Sequence, residues 1–284
     1  MVSGSFKTYE VLSPKKNSTV IVGSFDVGSM IYSNQVVLKK LHGSATEVEQ
    51  EMENCRFVQK LATERGGNFC EIIAMGCFES IGRWVPTTET SICMLKYDMD
   101  LETLMRTSEA FDFTPKLVES FCASVCCTMQ LLHEMDMMHL DIKPQNLLWK
   151  YDTPDKLFLC DFGSMASPAT LTNQHFIGTV PYASPEQFRQ SNVNKSSDVW
   201  AFGCILMQML SRQHPWQGEN NNYKVYIRIS DGQIPFVFNN VTCQGAGEDK
   251  HSLLMSKARA CLQHNQQLRP TFVTLNEDIG LMSS

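Results

Sequence analysis

The sequence predicts an α+β protein, with a small β-rich part first and a larger, mainly helical part after it. Three observations predict this. Between residues 6 and 40, Tyr9–Leu12, Thr19–Val22 and Gln35–Lys39 are short and rich in β-formers, with Pro, Asn, Ser and Gly between them. Beyond residue 114 apolar residues recur at helical spacing, as Phe121, Val125, Met129 and Leu132 do. After both patterns, His139–Asn146 packs a carboxylate, a cation and a carboxamide behind a histidine, and Pro144 denies the segment a regular helix.

The elements follow in order. Ser44 is an expected N-cap for a helix over residues 44–62, with Glu47 as its capping-box partner. Glu47, Glu49, Glu51 and Glu53 crowd its first half. Glu53 shares a face with Phe57 and Leu61 and is the one expected to turn inward; Glu51 is the second choice. Arg65–Asn68 is a turn, and Ile72–Met75 and Ser91–Leu95 are two further strands. Asp100–Leu104 opens a short helix. Thr114 as N-cap and Pro115 at the first helical position open a long one, running to about Met135. Leu147–Trp149 and Leu157–Cys160 flank the turn Asp152–Asp155 as a strand pair. Residues 163–184 are polar and irregular, 231–250 read as a loop, and 252–263 and 271–281 as closing helices.

Composition narrows the class. The net charge of −6 leaves no basic face of the kind that makes nucleic acid the main partner. No apolar run approaches the length of a membrane span, so no membrane role is expected. The polar start, Met1–Tyr9, lacks a signal core, and the 11 cysteines are scattered, with no Cys-x-x-Cys pair. They are expected to be reduced, mostly buried thiols in a cytoplasmic protein, with the nucleus as the alternative.

His139, Asp141 and Asn146 match the protein-kinase catalytic loop His-Arg-Asp-x-x-x-x-Asn, with Leu140 in place of Arg. Asp161-Phe162-Gly163 follows as the metal-binding triplet, and Val36-Val37-Leu38-Lys39 resembles the strand that carries the nucleotide lysine. Gly178-Thr179 and Ser184-Pro185-Glu186 resemble the end of an activation segment, with Ser184 where the family has Ala. The chain therefore resembles the eukaryotic protein kinases, over roughly residues 8–282. Lys143-Pro144 is similar to their serine/threonine branch.

The resemblance implies a bilobal protein-kinase fold, with an N-lobe over 1–97 and a C-lobe over 98–284, using ATP and Mg²⁺. It implies that Asp141 is the base and that Lys143 reaches the γ-phosphate. Asn146 and Asp161 would hold Mg²⁺. Lys39, fixed by Glu53, would hold the α- and β-phosphates. Lys96 and Asp98 would lie in the hinge whose backbone meets adenine, with Leu95 guarding the pocket behind it. For the phosphate-covering loop two alignments stay open. One uses Gly23 and Gly28, with Phe25 in place of the middle glycine; the other uses Ser13–Ser18, which has no glycine, and leaves Gly23 and Gly28 to punctuate later strands. Glu186 would pair with Arg269, and Asp198 would hold the catalytic-loop backbone.

His139-Leu140-Asp141 is also the form found in the Mos family of oocyte kinases, and residues 208–219 look similar to the same region there. That likeness implies a protein substrate of the MAP-kinase kinase class. The alternative to catalysis is a pseudokinase that binds nucleotide or acts as a scaffold, which the degraded glycine loop favours. The presence of Lys39, Asp141, Asn146 and Asp161 together favours catalysis.

Overall fold

The computed structural model describes residues 5–14, 18–27, 30–81, 88–107, 113–171, 175–217, 219, 221–235 and 250–282. The chain divides into two compact units, Met1–Asp98 and Met99–Ser284.

The first unit is a five-stranded sheet with one helix. Strand β1 is Ser5–Pro14, β2 Ser18–Val27, β3 Met30–Leu41, β4 Ile72–Ile81 and β5 Thr88–Leu95. Their order is β1-β2-β3-β5-β4, closed into a barrel by parallel pairing of β1 with β4. Ile21, Val36, Leu38, Ala74 and Cys93 form an apolar cluster, drawn from four strands. Helix α1, Ala45–Arg65, joins β3 to β4. Its capping box forms as the sequence predicts: Ser44 N–H donates to Glu47 at 2.8 Å, and Glu47 N–H donates to Ser44 Oγ at 3.3 Å. The Ser44 N–H bond, and after it the Ser44 Oγ bond to the same carboxylate at 2.8 Å, hold the Glu47 carboxyl below its usual range. Met52, Cys55, Val58 and Leu61 are its buried apolar stripe.

The second unit is mainly helical. A small sheet of β6 (Met99–Asp100), β7 (Leu147–Trp149) and β8 (Phe158–Leu159) has the order β6-β7-β8. The helices are α2 Leu101–Thr107, α3 Pro115–Glu134, α4 Pro185–Arg189, α5 Ser196–Ser211, α6 Asn222–Ser230, α7 Lys250–Cys261 and α8 Phe272–Met282. Thr114 caps α3 as expected, accepting from Leu117 N–H at 3.2 Å. Helix α5 runs through the core and is buried on nearly every face. It presses so close to α7 that a Cβ on Gly203 would sit 2.6 Å from Cys261 Cβ, so only glycine fits there. Cys122, Cys126, Cys204 and Cys261 are buried in this unit, and burial pushes the Cys261 thiol up to about 12. Among the described residues no helix is long and apolar enough to cross a membrane.

Candidate active site

The catalytic-loop segment is held from beneath by one carboxylate. Asp198, in the first turn of α5, is fully buried. Its oxygens accept the backbone N–H of His139 at 2.9 Å and of Leu140 at 2.8 Å. Leu140 has φ 64, a left-handed conformation that a non-glycine residue keeps only when its surroundings impose it. The two bonds to Asp198 supply that constraint. His133, on the last turn of α3, adds a third contact, with Nε2 2.9 Å from Asp198 Oδ2. Asp198 thus stands in the position the family resemblance implied, and His133 is a partner that no motif in the sequence marks.

His139 is buried and serves the backbone. Its Nε2 donates to the Cys160 carbonyl at 3.2 Å, and its Nδ1 accepts Asp141 N–H at 3.3 Å. The carbonyl and the amide leave the ring a single tautomer. The ring therefore ties the loop to the residue preceding Asp161.

Around Asp141 the polar groups converge. Lys143 Nζ lies 2.5 Å from Asp141 Oδ2 and 2.8 Å from Thr179 Oγ1. Thr179 Oγ1 donates to Asp141 Oδ1 at 2.6 Å. Both carboxylate oxygens are thus engaged, and one proton of the Lys143 ammonium stays available for a further acceptor. Asn146, also buried, donates through Nδ2 to the Asp141 carbonyl at 2.9 Å, which leaves Oδ1 as its ligand atom. Asp161 follows Cys160, whose N–H donates to the Asn146 carbonyl at 3.0 Å. Asp161 has φ 66 and opens a 3₁₀ turn, Phe162–Ser164, with Phe162 buried 6.0 Å from the His139 ring. Asn146 and Asp161 offer hard oxygen donors, and this set fits Mg²⁺, which takes one or two protein carboxylates and completes its shell with water and phosphate.

The segment after the activation loop is anchored at several points. Trp216 Nε1 donates to the Pro181 carbonyl at 3.2 Å, and the Tyr182 hydroxyl donates to Gln208 at 2.8 Å. Burial pushes the Tyr182 hydroxyl well above its usual range. Glu186 and Arg269 meet as a buried bidentate pair, at 2.6 and 2.9 Å, with Ser197 Oγ donating to Glu186 at 2.8 Å. Burial alone would raise the Glu186 carboxyl; the Arg269 bonds and charge outweigh it and hold the group below its ordinary value.

In the first unit, Lys39 is buried on β3 and its Nζ lies 2.5 Å from Glu51 Oε1. The partner is Glu51, not Glu53, which is exposed. Two residues along a helix rotate the side chain by about 200°, and the stripe of Cys55 and Val58 continues to Glu51 rather than Glu53. Strand parity likewise separates Leu95 from Lys39. Leu95 pairs with Val36, whereas Met94 pairs with Val37 and Ile92 with Lys39, so Met94 shares the face of Lys39. Lys96 and Asp98 are exposed, and the Lys96 N–H donates to the Gln35 carbonyl at 2.7 Å, so that N–H is engaged within the first unit.

The glycine alignment over Gly23 and Gly28 does not match the strand order. Gly23 lies inside β2, paired with Thr8 and Val36, where the register shifts before Phe25. A glycine within a strand at such a bulge has a local backbone role. The hairpin that joins β1 to β2 falls in the stretch Ser13–Ser18, the second alignment, of which residues 15–17 lie outside the described residues. Gly28 also lies outside them, in the β2–β3 connection.

Gln187, too, was not foreseen from the sequence. A readable signal was present, since Ser184-x-x-Gln187 has capping-box spacing.

A β-rich first unit, a helical second unit and this catalytic loop are the features of a protein kinase domain. The chain belongs to the protein kinase domain family, whose model, described as "Protein kinase domain", matches residues 27–278. It is similar to a serine/threonine-protein kinase PDK1 of Cryptococcus neoformans, 27% identical over 163 residues, which cover 55% of this chain and 12% of that protein. It is similar to the human dual specificity tyrosine-phosphorylation-regulated kinase 3, 27% identical over 204 residues, 70% of this chain and 33% of that protein. A serine/threonine-protein kinase PKH2 of Saccharomyces cerevisiae is 31% identical over 150 residues, 48% of this chain and 13% of that protein. The chain thus spans a third or less of the length of each of these relatives.

Proposed function

We propose that the chain is a Mg-ATP-dependent serine/threonine protein kinase, which transfers the γ-phosphoryl group to a protein hydroxyl. The observation that carries this reading is the constellation at Asp141: a carboxylate held by Lys143 and Thr179, with Asn146 fixed behind it. Phosphoryl transfer asks mainly for positioning and charge neutralisation, and each of these side chains does one part of it.

Asp141 accepts the proton of the substrate hydroxyl as that oxygen attacks the γ-phosphorus, while the bond from the γ-phosphorus to the β–γ bridging oxygen breaks and ADP leaves with that oxygen. Lys143 turns its remaining N–H toward the γ-phosphate oxygens and offsets the charge that develops there. Asn146 Oδ1 and Asp161 are the residues that would hold Mg²⁺, which would neutralise phosphate charge. Lys39, oriented by Glu51, is the residue for the α- and β-phosphates. Gly178, Thr179 and the anchored segment through Tyr182 are where a substrate peptide would lie. The cytoplasm is the compartment proposed with this activity.

The serine/threonine class is supported by the relatives' names. A narrower reading, a Mos-like kinase acting on a MAP-kinase kinase, rests on His139-Leu140-Asp141 and on residues 208–219 alone. A pseudokinase remains the competing reading, motivated by Lys15, Lys16 and Asn17 where a phosphate loop would carry glycine.

The test is transfer of labelled phosphate from Mg-ATP to peptide arrays and to a catalytically dead MAP-kinase kinase. Asp141→Asn should abolish transfer and leave nucleotide binding within about twofold, since Asp141 serves the hydroxyl. Asp161→Asn should weaken Mg-ATP binding itself. Wild-type turnover in Asp141→Asn would overturn the assignment, and binding without any transfer by the wild type would favour the pseudokinase.

A further inference from the structure

We propose that Gln187 is a positioning residue for Asp141, acting as a permanent neutral tie between the activation segment and the catalytic loop. This deepens the kinase reading and rests on it.

Gln187 is buried, with 4% of its surface exposed. Its Nε2 donates to the Leu140 carbonyl at 2.9 Å and to the Ile177 carbonyl at 3.0 Å. Its Oε1 accepts from Ser184 N–H at 2.9 Å and Ser184 Oγ at 3.1 Å. Both amide protons and both lone pairs are therefore used. Two carbonyls on one side and a backbone N–H on the other allow only this orientation of the amide.

The two carbonyls are placed to matter. Leu140 precedes Asp141, and Ile177 lies two residues before Thr179, whose hydroxyl bonds Asp141 at 2.6 Å. Leu140–Asp141 and Ile177–Thr179 are thus joined at one end by the Asp141–Thr179 bond and at the other by Gln187. The result is a closed ring around the proposed base. Gly178 sits inside it at φ +115, and a Cβ there would come within 2.9 Å of both Gln187 Nε2 and the Leu140 oxygen. The ring thus requires glycine at this position.

Two departures from the family motifs meet here. Leu140 stands where an Arg is expected and packs with Met138 and Ala166 against Leu171, Ile177 and Val193. Its side chain has no donor for a phosphate. Ser184 stands where Ala is expected and supplies both donors to Gln187. Loss of the charged residue on one strand of the ring thus coincides with a fully bonded carboxamide across it.

The test uses the full chain with Gln187→Met, which keeps the volume and removes the donors, and Gln187→Glu, which sets an oxygen against two carbonyls. A role confined to packing would lower thermal stability and leave the turnover of the folded fraction alone. The tie instead predicts that kcat falls about tenfold or more while KM for ATP stays within about twofold. It also predicts faster amide exchange over residues 177–182 in the Met variant. Unchanged kcat in folded Gln187→Met, or unchanged exchange over that segment, would overturn the proposal. If the wild type transfers no phosphate, the kinase reading falls, and the exchange measurement alone decides whether the tie exists.

Discussion

The Lys39 ammonium meets Glu51 at 2.5 Å, while Glu53, two residues further along the same helix, is exposed. The pair is formed within the first unit, between a strand and a helix adjacent in sequence. Because the Lys39 and Glu51 side chains are 10% and 16% exposed, solvent screens the pair little, and losing Glu51 removes this charge contact from Lys39.

Glu51→Gln should therefore lower kcat/KM for ATP by about tenfold to a hundredfold, which is about 1.4 to 2.7 kcal/mol of transition-state stabilisation. Glu53→Gln should change it by less than about twofold. Steady-state kinetics at varied ATP separate the two. An equal loss in both variants would count against the Lys39–Glu51 pair as the functional one.

Arg269→Ala should destabilise the second unit. It leaves Glu186 buried and unpaired, and breaking a buried pair on one side costs about 3–5 kcal/mol. It also removes the Arg269 bonds to the Ser196 and Gln263 carbonyls. A fall in Tm of about 6 °C or more is expected. A melt within error of the wild type would show that the pair contributes little.

The same pair sets a pH dependence. The folded-state value of Glu186 is lowered, chiefly by Arg269 acting against burial. Its contribution is therefore fully present above the ordinary value of 4.5 and is lost as pH falls through the lower, folded-state value. Melting temperatures taken from pH 7 down to 3 should fall more steeply for the wild type than for Glu186→Gln. Parallel curves would contradict this.

Activity should not depend on phosphorylation of the activation segment. Leu140 is buried among apolar neighbours and offers no cation to a phosphate, and the one Lys143 N–H not bonded to Asp141 or Thr179 is assigned to the γ-phosphate. Ser164, Ser167 and Thr170 are acceptors in the segment, and Ser167 and Thr170 already bond each other. Thr172 lies outside the described residues. Phosphatase treatment, checked by mass spectrometry, should leave peptide phosphorylation unchanged. A loss of about tenfold, restored by rephosphorylating this segment, would sink the idea.

What the sequence by itself determined is what neighbours along the chain decide. The Ser44–Glu47 box, the Thr114-Pro115 helix start and the five strands of the first unit are local patterns and were legible, whereas β6 at Met99–Asp100 was not. So were the catalytic loop and the Glu186–Arg269 partnership, because the residue types match a family motif. Tertiary structure decided the rest, and for a common physical reason. Which glutamate meets Lys39 depends on how α1 is rotated against β3, and Glu51 and Glu53 differ only in direction around the helix. Met94 rather than Leu95 shares the face of Lys39 because strand pairing fixes parity, and a shift of one residue reverses it. Gly23 lies within β2 because both neighbouring strands pair with it there. Gln187 and His133 gain their partners only when the chain returns to Leu140 and Asp198. A sequence carries the donors and acceptors, but distant pairing and the rotation of each element choose which of them meet.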